Sequence, residues 1–161
     1  MTETSPRTVE QSRATVVRLT LPTDANFTGN VFGGELLAEV DRVAYITATR
    51  HAKANCVTAS FDRVDFIAPV HVGEVVDLDA RLTYVGRSSM EVWVQVRAEA
   101  LEGGATRRVA EAYVTMVAVG PSGRPVPVAP LTLVNAEERR LFAAGRRRTD
   151  ARRKAREHSK S

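Results

Sequence analysis

Gly33 and Gly34 stand at the head of a helix-like run, and a carboxylate, Asp41, follows about two turns along it. A helix start carries unpaired N–H groups and a partial positive charge. Glycines there let a ligand approach the backbone closely, and such a site can hold a developing oxyanion. Asp41 is of the type that serves as general base or nucleophile. Asn26, in the preceding loop, can orient a water or a carbonyl. The turn "GRSS", Gly86 to Ser89, offers an arginine and two hydroxyls that could grip a phosphate. Each has a plainer reading: a glycine pair that only turns the chain, an acid hydrogen-bonded to a loop, an asparagine that forms a turn, a solvated hairpin.

These groups need elements to carry them. "ATVVRLTL" reads as a short strand ended by Pro22, and "PTDANFTGN" as a turn-rich loop. A helix is predicted over about 34–51. At 100° per residue Leu36, Leu37, Val40, Val43, Ala44, Thr47 and Ala48 share one apolar stripe, and Asp41 falls on its edge, partly buried. Four strands follow. "EVVDLDARLTYV" alternates, with Val76, Leu78, Ala80, Leu82 and Tyr84 on one face; "SMEVWVQVRAEAL" alternates too. The turns between strands are short enough for antiparallel neighbours. One long helix over one large antiparallel sheet is an α+β fold.

Residues 1–12 read as disordered, 13–130 as the folded domain, 131–145 as a short C-terminal helix and 146–161 as a disordered basic tail. The 161-residue chain has a formal charge of +4, yet residues 146–161 hold eight basic and two acidic side chains, about +6, leaving about −2 elsewhere. The high pI therefore belongs to the tail, gives the body no nucleic-acid signature, and leaves the tail expected to be dispensable. Arg50 and His51 fall at the helix C-terminus, where cations are favoured. The lone Cys56 leaves no disulfide framework, and no metal-ligand spacing is present. No run is long and apolar enough to span a membrane, and the polar opening resembles no secretory signal. A cytoplasmic protein is expected.

Taken in order, "PTDANFTGNVFGGELLAEVDRVAYITATRHA", "VTASFDRVDFIAPVHVGEVV", "VGRSSMEVWVQV" and "AYVTMVAVGPSGRPVPVAPL" resemble the hotdog-fold acyl-CoA thioesterases, the bacterial branch related to the cytosolic acyl-CoA hydrolases. The resemblance covers about 120 residues. It implies a long helix wrapped by a curved antiparallel sheet, and hydrolysis of an acyl-CoA thioester to free acid and coenzyme A, with a place in fatty acid metabolism. It implies sites at a dimer interface, with trimers of dimers common. Asp41 matches the family's catalytic carboxylate, Asn26 its loop partner from the opposing subunit, and Gly33 and Gly34 the glycines whose neighbouring amides polarise the thioester carbonyl. Gly86, Arg87, Ser88 and Ser89 match a turn near the coenzyme A nucleotide. No cofactor is implied, coenzyme A being part of substrate and product. Asp65 departs from an expected asparagine, and the arginine-rich tail is not a family feature. A non-catalytic acyl-CoA-binding hotdog is the alternative. A hotdog hydratase would pair its Asp with a nearby His, and none lies between Asn26 and Arg50.

Overall fold

The computed structural model describes residues 4–160. Five strands form one antiparallel sheet: β2 (Ala14–Leu19), β3 (Asn55–Phe66), β4 (Val75–Val85), β5 (Ser89–Glu99) and β6 (Arg107–Val119), in the order β2-β4-β5-β6-β3. Helix α2 (Gly33–Ala52) lies on one face. Its Leu36, Val40, Val43, Ala44 and Ala48 pack on Val76, Leu78 and Ala80 of β4, Val92, Val94 and Val96 of β5, and Val114 and Met116 of β6, all buried. This is the α+β arrangement that the periodicities predict, one long helix over one antiparallel sheet, and the one that the hotdog resemblance implies.

The sheet is not regular throughout. A bulge between Leu82 and Tyr84 shifts the register, so Leu82 pairs with Val92 but Tyr84 with Glu91. One extra residue reverses which face a side chain meets. Tyr84, expected inside with Leu82, therefore turns to the outer face and packs on Phe142 at 5.0 Å.

The termini differ most from expectation. Within the segment read as disordered, β1 (Arg7–Thr8) pairs in parallel with β7 (Leu131–Thr132), and α1 (Val9–Ser12) follows with a capping box at Thr8. The short helix and disordered tail are one 23-residue helix, α3 (Ala136–His158), capped by Asn135. Its Ala, Arg, Glu and Lys residues are good helix formers. Gly145 reads locally as a helix stop, yet it sits inside α3, where a Cβ would lie 2.7 Å from Tyr84 Cβ and 2.9 Å from Glu91 Oε1. The glycine lets α3 lie directly on the outer sheet face. Residues 1–3 and 161, included in those two expectations, lie outside the described residues.

His51, read as a helix-end cation, is fully buried. Its Nε2 donates to the Ala129 carbonyl at 2.7 Å, and Arg7 donates to the His51 carbonyl at 2.6 Å. Burial first, then the nearby Arg7 guanidinium, hold the imidazole below its ordinary pKa, against the opposing pull of the Ala129 carbonyl. The folded state thus favours neutral His51. Its contribution to stability is whole above the unfolded-state pKa of about 6.5 and is lost as pH falls toward the lower folded-state value, at no more than about 1.4 kcal/mol per pH unit. Urea melts are expected to show a lower midpoint at pH 5 than at pH 7.5. His51→Gln, which can still donate to Ala129, is expected to flatten that difference; an unchanged pH dependence would place its source elsewhere.

Candidate active site

The loop before α2 is held by Asp24. Its carboxylate accepts from Arg18 at 2.6 Å and the Leu21 amide at 2.7 Å, and its carbonyl accepts from the Phe32 amide at 2.8 Å. The Leu21 amide, then Arg18, keep this buried carboxyl below its usual pKa. Val31 donates to the Val70 carbonyl at 2.8 Å, tying the loop to the chain beyond β3.

Helix α2 begins from Phe32, which makes no side-chain cap. Glu35 donates to the Phe32 carbonyl at 2.9 Å, while the amides of Gly33 and Gly34 find no acceptor among the described residues. They remain open to a ligand, as first-turn amides are. A Cβ on Gly34 would approach the Phe32 ring to 2.8 Å, and one on Gly33 would reach Phe66 at 3.4 Å. A cleft of about 320 Å³ opens here, lined by Asn26, Gly33, Leu36, Phe66, Ile67 and Val70.

Asn26 turns its side-chain oxygen inward. That oxygen accepts from the Thr28 amide at 2.9 Å, the Thr28 hydroxyl at 2.7 Å and the Asn30 amide at 3.2 Å. Three donors on one atom fix the amide's orientation. Only Nδ2 remains for a ligand, so Asn26 can act on substrate as a donor.

Asp41 is half-buried, on the side of α2 that faces β3. Thr58 of β3 donates its hydroxyl to Asp41 Oδ1 at 2.5 Å. This fixes one carboxylate oxygen and leaves the other for a water or an acyl carbon. Thr58 escapes a reading of sequence because bulges at Thr58/Ser60 and Phe61/Arg63 interrupt the alternation of β3. The one local signal is a hydroxyl residue early in the strand after the helix.

The chain brings Asn26 and Gly33 to one cleft and Asp41 to Thr58. It does not bring the two pairs together. Gly33 and Asp41 are eight residues apart, about 12 Å along the helix axis. The turn Gly86–Ser89 closes β4 to β5 and packs on the following segment: Ser88 and Arg87 carbonyls accept from Ala118 and Val128 at 2.9 Å each. It lies outside this cleft. Asp65 is paired with Arg63 at 2.7 Å. Among the described residues no group of three His, Cys, Asp or Glu side chains could hold a metal ion, and no helix is long and apolar enough to cross a membrane.

The sheet and its covering helix have the hotdog architecture, with open amides at the start of the helix and a carboxylate about 12 Å further along it. The Thioesterase superfamily model matches residues 28–105, and the chain belongs to that superfamily. The uncharacterised acyl-CoA thioester hydrolase YkhA of Bacillus subtilis is 36% identical over 96% of this chain and 90% of its own length. An apo-hexameric acyl-CoA thioesterase superposes with a TM-score of 0.88 at 41% identity, covering 93% of this chain and 97% of that one. The Staphylococcus aureus acyl-CoA hydrolase, solved with butyryl-coenzyme A and coenzyme A, gives a TM-score of 0.87 at 35% identity, covering 96% and 95%.

Proposed function

We propose that this protein hydrolyses the thioester of acyl-CoA to a free acid and coenzyme A. The observation that carries the reading is the Thr58–Asp41 hydrogen bond, on the same helix whose first amides stand open over the cleft. Hydrolysis needs an oxygen nucleophile and donors for the tetrahedral oxyanion. Asp41 supplies the first, either by attacking or by taking a proton from water. The amides at Gly33 and Gly34, with Asn26 Nδ2, supply the second. Three variants of the S. aureus enzyme support the residue choice. An asparagine, an aspartate and a threonine, each replaced singly by alanine there, stand fifteen and seventeen residues apart, the separations of Asn26, Asp41 and Thr58 here. The reaction so read uses no cofactor. It belongs to fatty acid metabolism in the cytoplasm, where the buried thiol of Cys56 stays reduced.

The about 12 Å between Gly33 and Asp41 calls for two chains in each site. We read the active form as a dimer, assembled further into a trimer of dimers as in the hexameric neighbour. Edge strand β3 and the segment after it expose Val57, Phe61, Phe66 and Ile67, and an apolar edge of this kind is usually paired or covered. Each site then takes Asn26 and the open amides from one subunit and Asp41 with Thr58 from its partner.

The test is thiol release across acyl-CoA chain lengths, joined to complementation. Asn26→Ala and Asp41→Ala chains, each nearly inactive alone, are expected to recover part of the wild-type rate when co-expressed. No recovery would place both groups in one chain's site. A monomer by light scattering at micromolar concentration, with full activity, would overturn the shared site.

A further inference from the structure

The second half of α3 points cations toward the sheet, where a helix ordinarily buries apolar side chains. Thr149, Arg152, Arg153, Arg156 and Lys160 follow the spacing of one helix face. Between that face and the outer side of β3, β5 and β6 lies a cleft of about 300 Å³. Its floor is Ala59 and Val117, and Ser89 of the Gly86–Ser89 turn stands at its wall. The neighbouring cations of α3 are already engaged: Arg148 pairs with Glu91 at 2.7 Å, and Arg152 with Asp62 at 2.6 Å. Those nearer the end are not. Arg153 meets only Asp150, at 3.3 Å, and Arg156 and Lys160 make no ion pair among the described residues. Ser89 Oγ makes no hydrogen bond among them either. Among the described residues Glu157 is the one acid on the lining.

A concave site with this excess of cations concentrates anions. Arginine forks match phosphate oxygens in pairs, and a hydroxyl adds a further donor. Among the described residues no aromatic ring lines the cleft to stack a base, so the recognition is of phosphate. We propose that this cleft binds the phosphates of a nucleotide, with Arg153, Arg156, Lys160 and Ser89 as its donors. The phosphates have two possible sources: the nucleotide end of acyl-CoA, which rests on the function read above, or a separate nucleotide that occupies the cleft on its own.

The experiment compares the full chain with Arg153→Ala/Arg156→Ala; both side chains are exposed, so folding should survive, and circular dichroism checks it. Binding of ADP and inorganic pyrophosphate is measured by calorimetry over a salt series. Hydrolysis is measured on acyl-CoA and on the matching acyl-N-acetylcysteamine, which lacks the nucleotide. The wild-type chain is expected to bind ADP and pyrophosphate more weakly as salt rises, and the variant at least about tenfold more weakly than wild type. If the phosphates are the substrate's, the variant's KM for acyl-CoA rises about tenfold at unchanged kcat, ADP competes with acyl-CoA, and the short ester is turned over as by wild type. If they belong to a separate nucleotide, ADP binding falls while the KM for acyl-CoA holds. Equal binding of ADP and pyrophosphate by both chains, with equal KM, overturns the proposal. Absence of acyl-CoA hydrolysis by the wild-type chain would overturn the function reading alone, because the calorimetry still tests the cleft.

Discussion

Asp41→Ala is expected to lower turnover of acyl-CoA by at least about 100-fold, the scale of a lost base or nucleophile. Folding should survive. Asp41 is half-buried, on the edge of the α2 stripe rather than in the core, and among the described residues its one side-chain hydrogen bond is to Thr58. The melting temperature should therefore stay within a few degrees of wild type. Asp41→Asn keeps the size and the contact with Thr58 but loses the negative charge, so it should fall nearly as far. Thr58→Ala should fall less, about tenfold, the equivalent of one hydrogen bond that orients the carboxylate. That order separates the group that reacts from the group that positions it. Near-normal turnover by Asp41→Ala, measured as thiol release at saturating substrate, would remove Asp41 from the mechanism.

The largest effect on stability is expected at Arg148. The Glu91 side chain is 1% exposed on the outer face of the sheet. It accepts from Thr83 at 2.6 Å and from Arg148 at 2.7 and 3.0 Å. The same guanidinium lies 4.1 Å over the Tyr113 ring. Removing one partner of a buried pair leaves the other charge buried and unpaired, at about 3–5 kcal/mol when both are fully enclosed. The Arg148 side chain is 32% exposed, so water repays part of that, and about 2–3 kcal/mol is the expected loss for Arg148→Ala. For a chain of this length it is a fall of about 5–10 °C in Tm. Adding Glu91→Gln should recover part of it by removing the stranded charge. A melt equal to wild type for Arg148→Ala would mean that α3 is not docked on the sheet. By the same contact, truncation after Gly145 is expected to lower stability, because it removes the cation that pairs with Glu91.

Local pattern carried the elements that run with one period. Helix α2 and strands β4, β5 and β6 were legible because their apolar residues repeat at helical or strand spacing, and each repeat meets a single partner surface. Asp41 was legible for the same reason, as an acid on the margin of an apolar stripe. The order of four short motifs carried the family. Tertiary structure decided what depends on a second element arriving. A bulge moved Tyr84 to the outer face, where α3 covers it. Gly145, locally a helix stop, became a point of close approach between helix and sheet, because a missing Cβ has no local signature of its use. His51, locally a helix-end cation, is held below its ordinary pKa because burial and the Arg7 guanidinium, far from it in sequence, disfavour its charged form. Thr58 reaches Asp41 across seventeen residues, a contact that only the pairing of β3 along α2 creates. Sequence thus determined the periodic core, the candidate acid and the family; folding in three dimensions decided which charges are buried, which hydroxyl holds that acid, and why one chain alone does not unite the amides of Gly33 and Gly34 with Asp41.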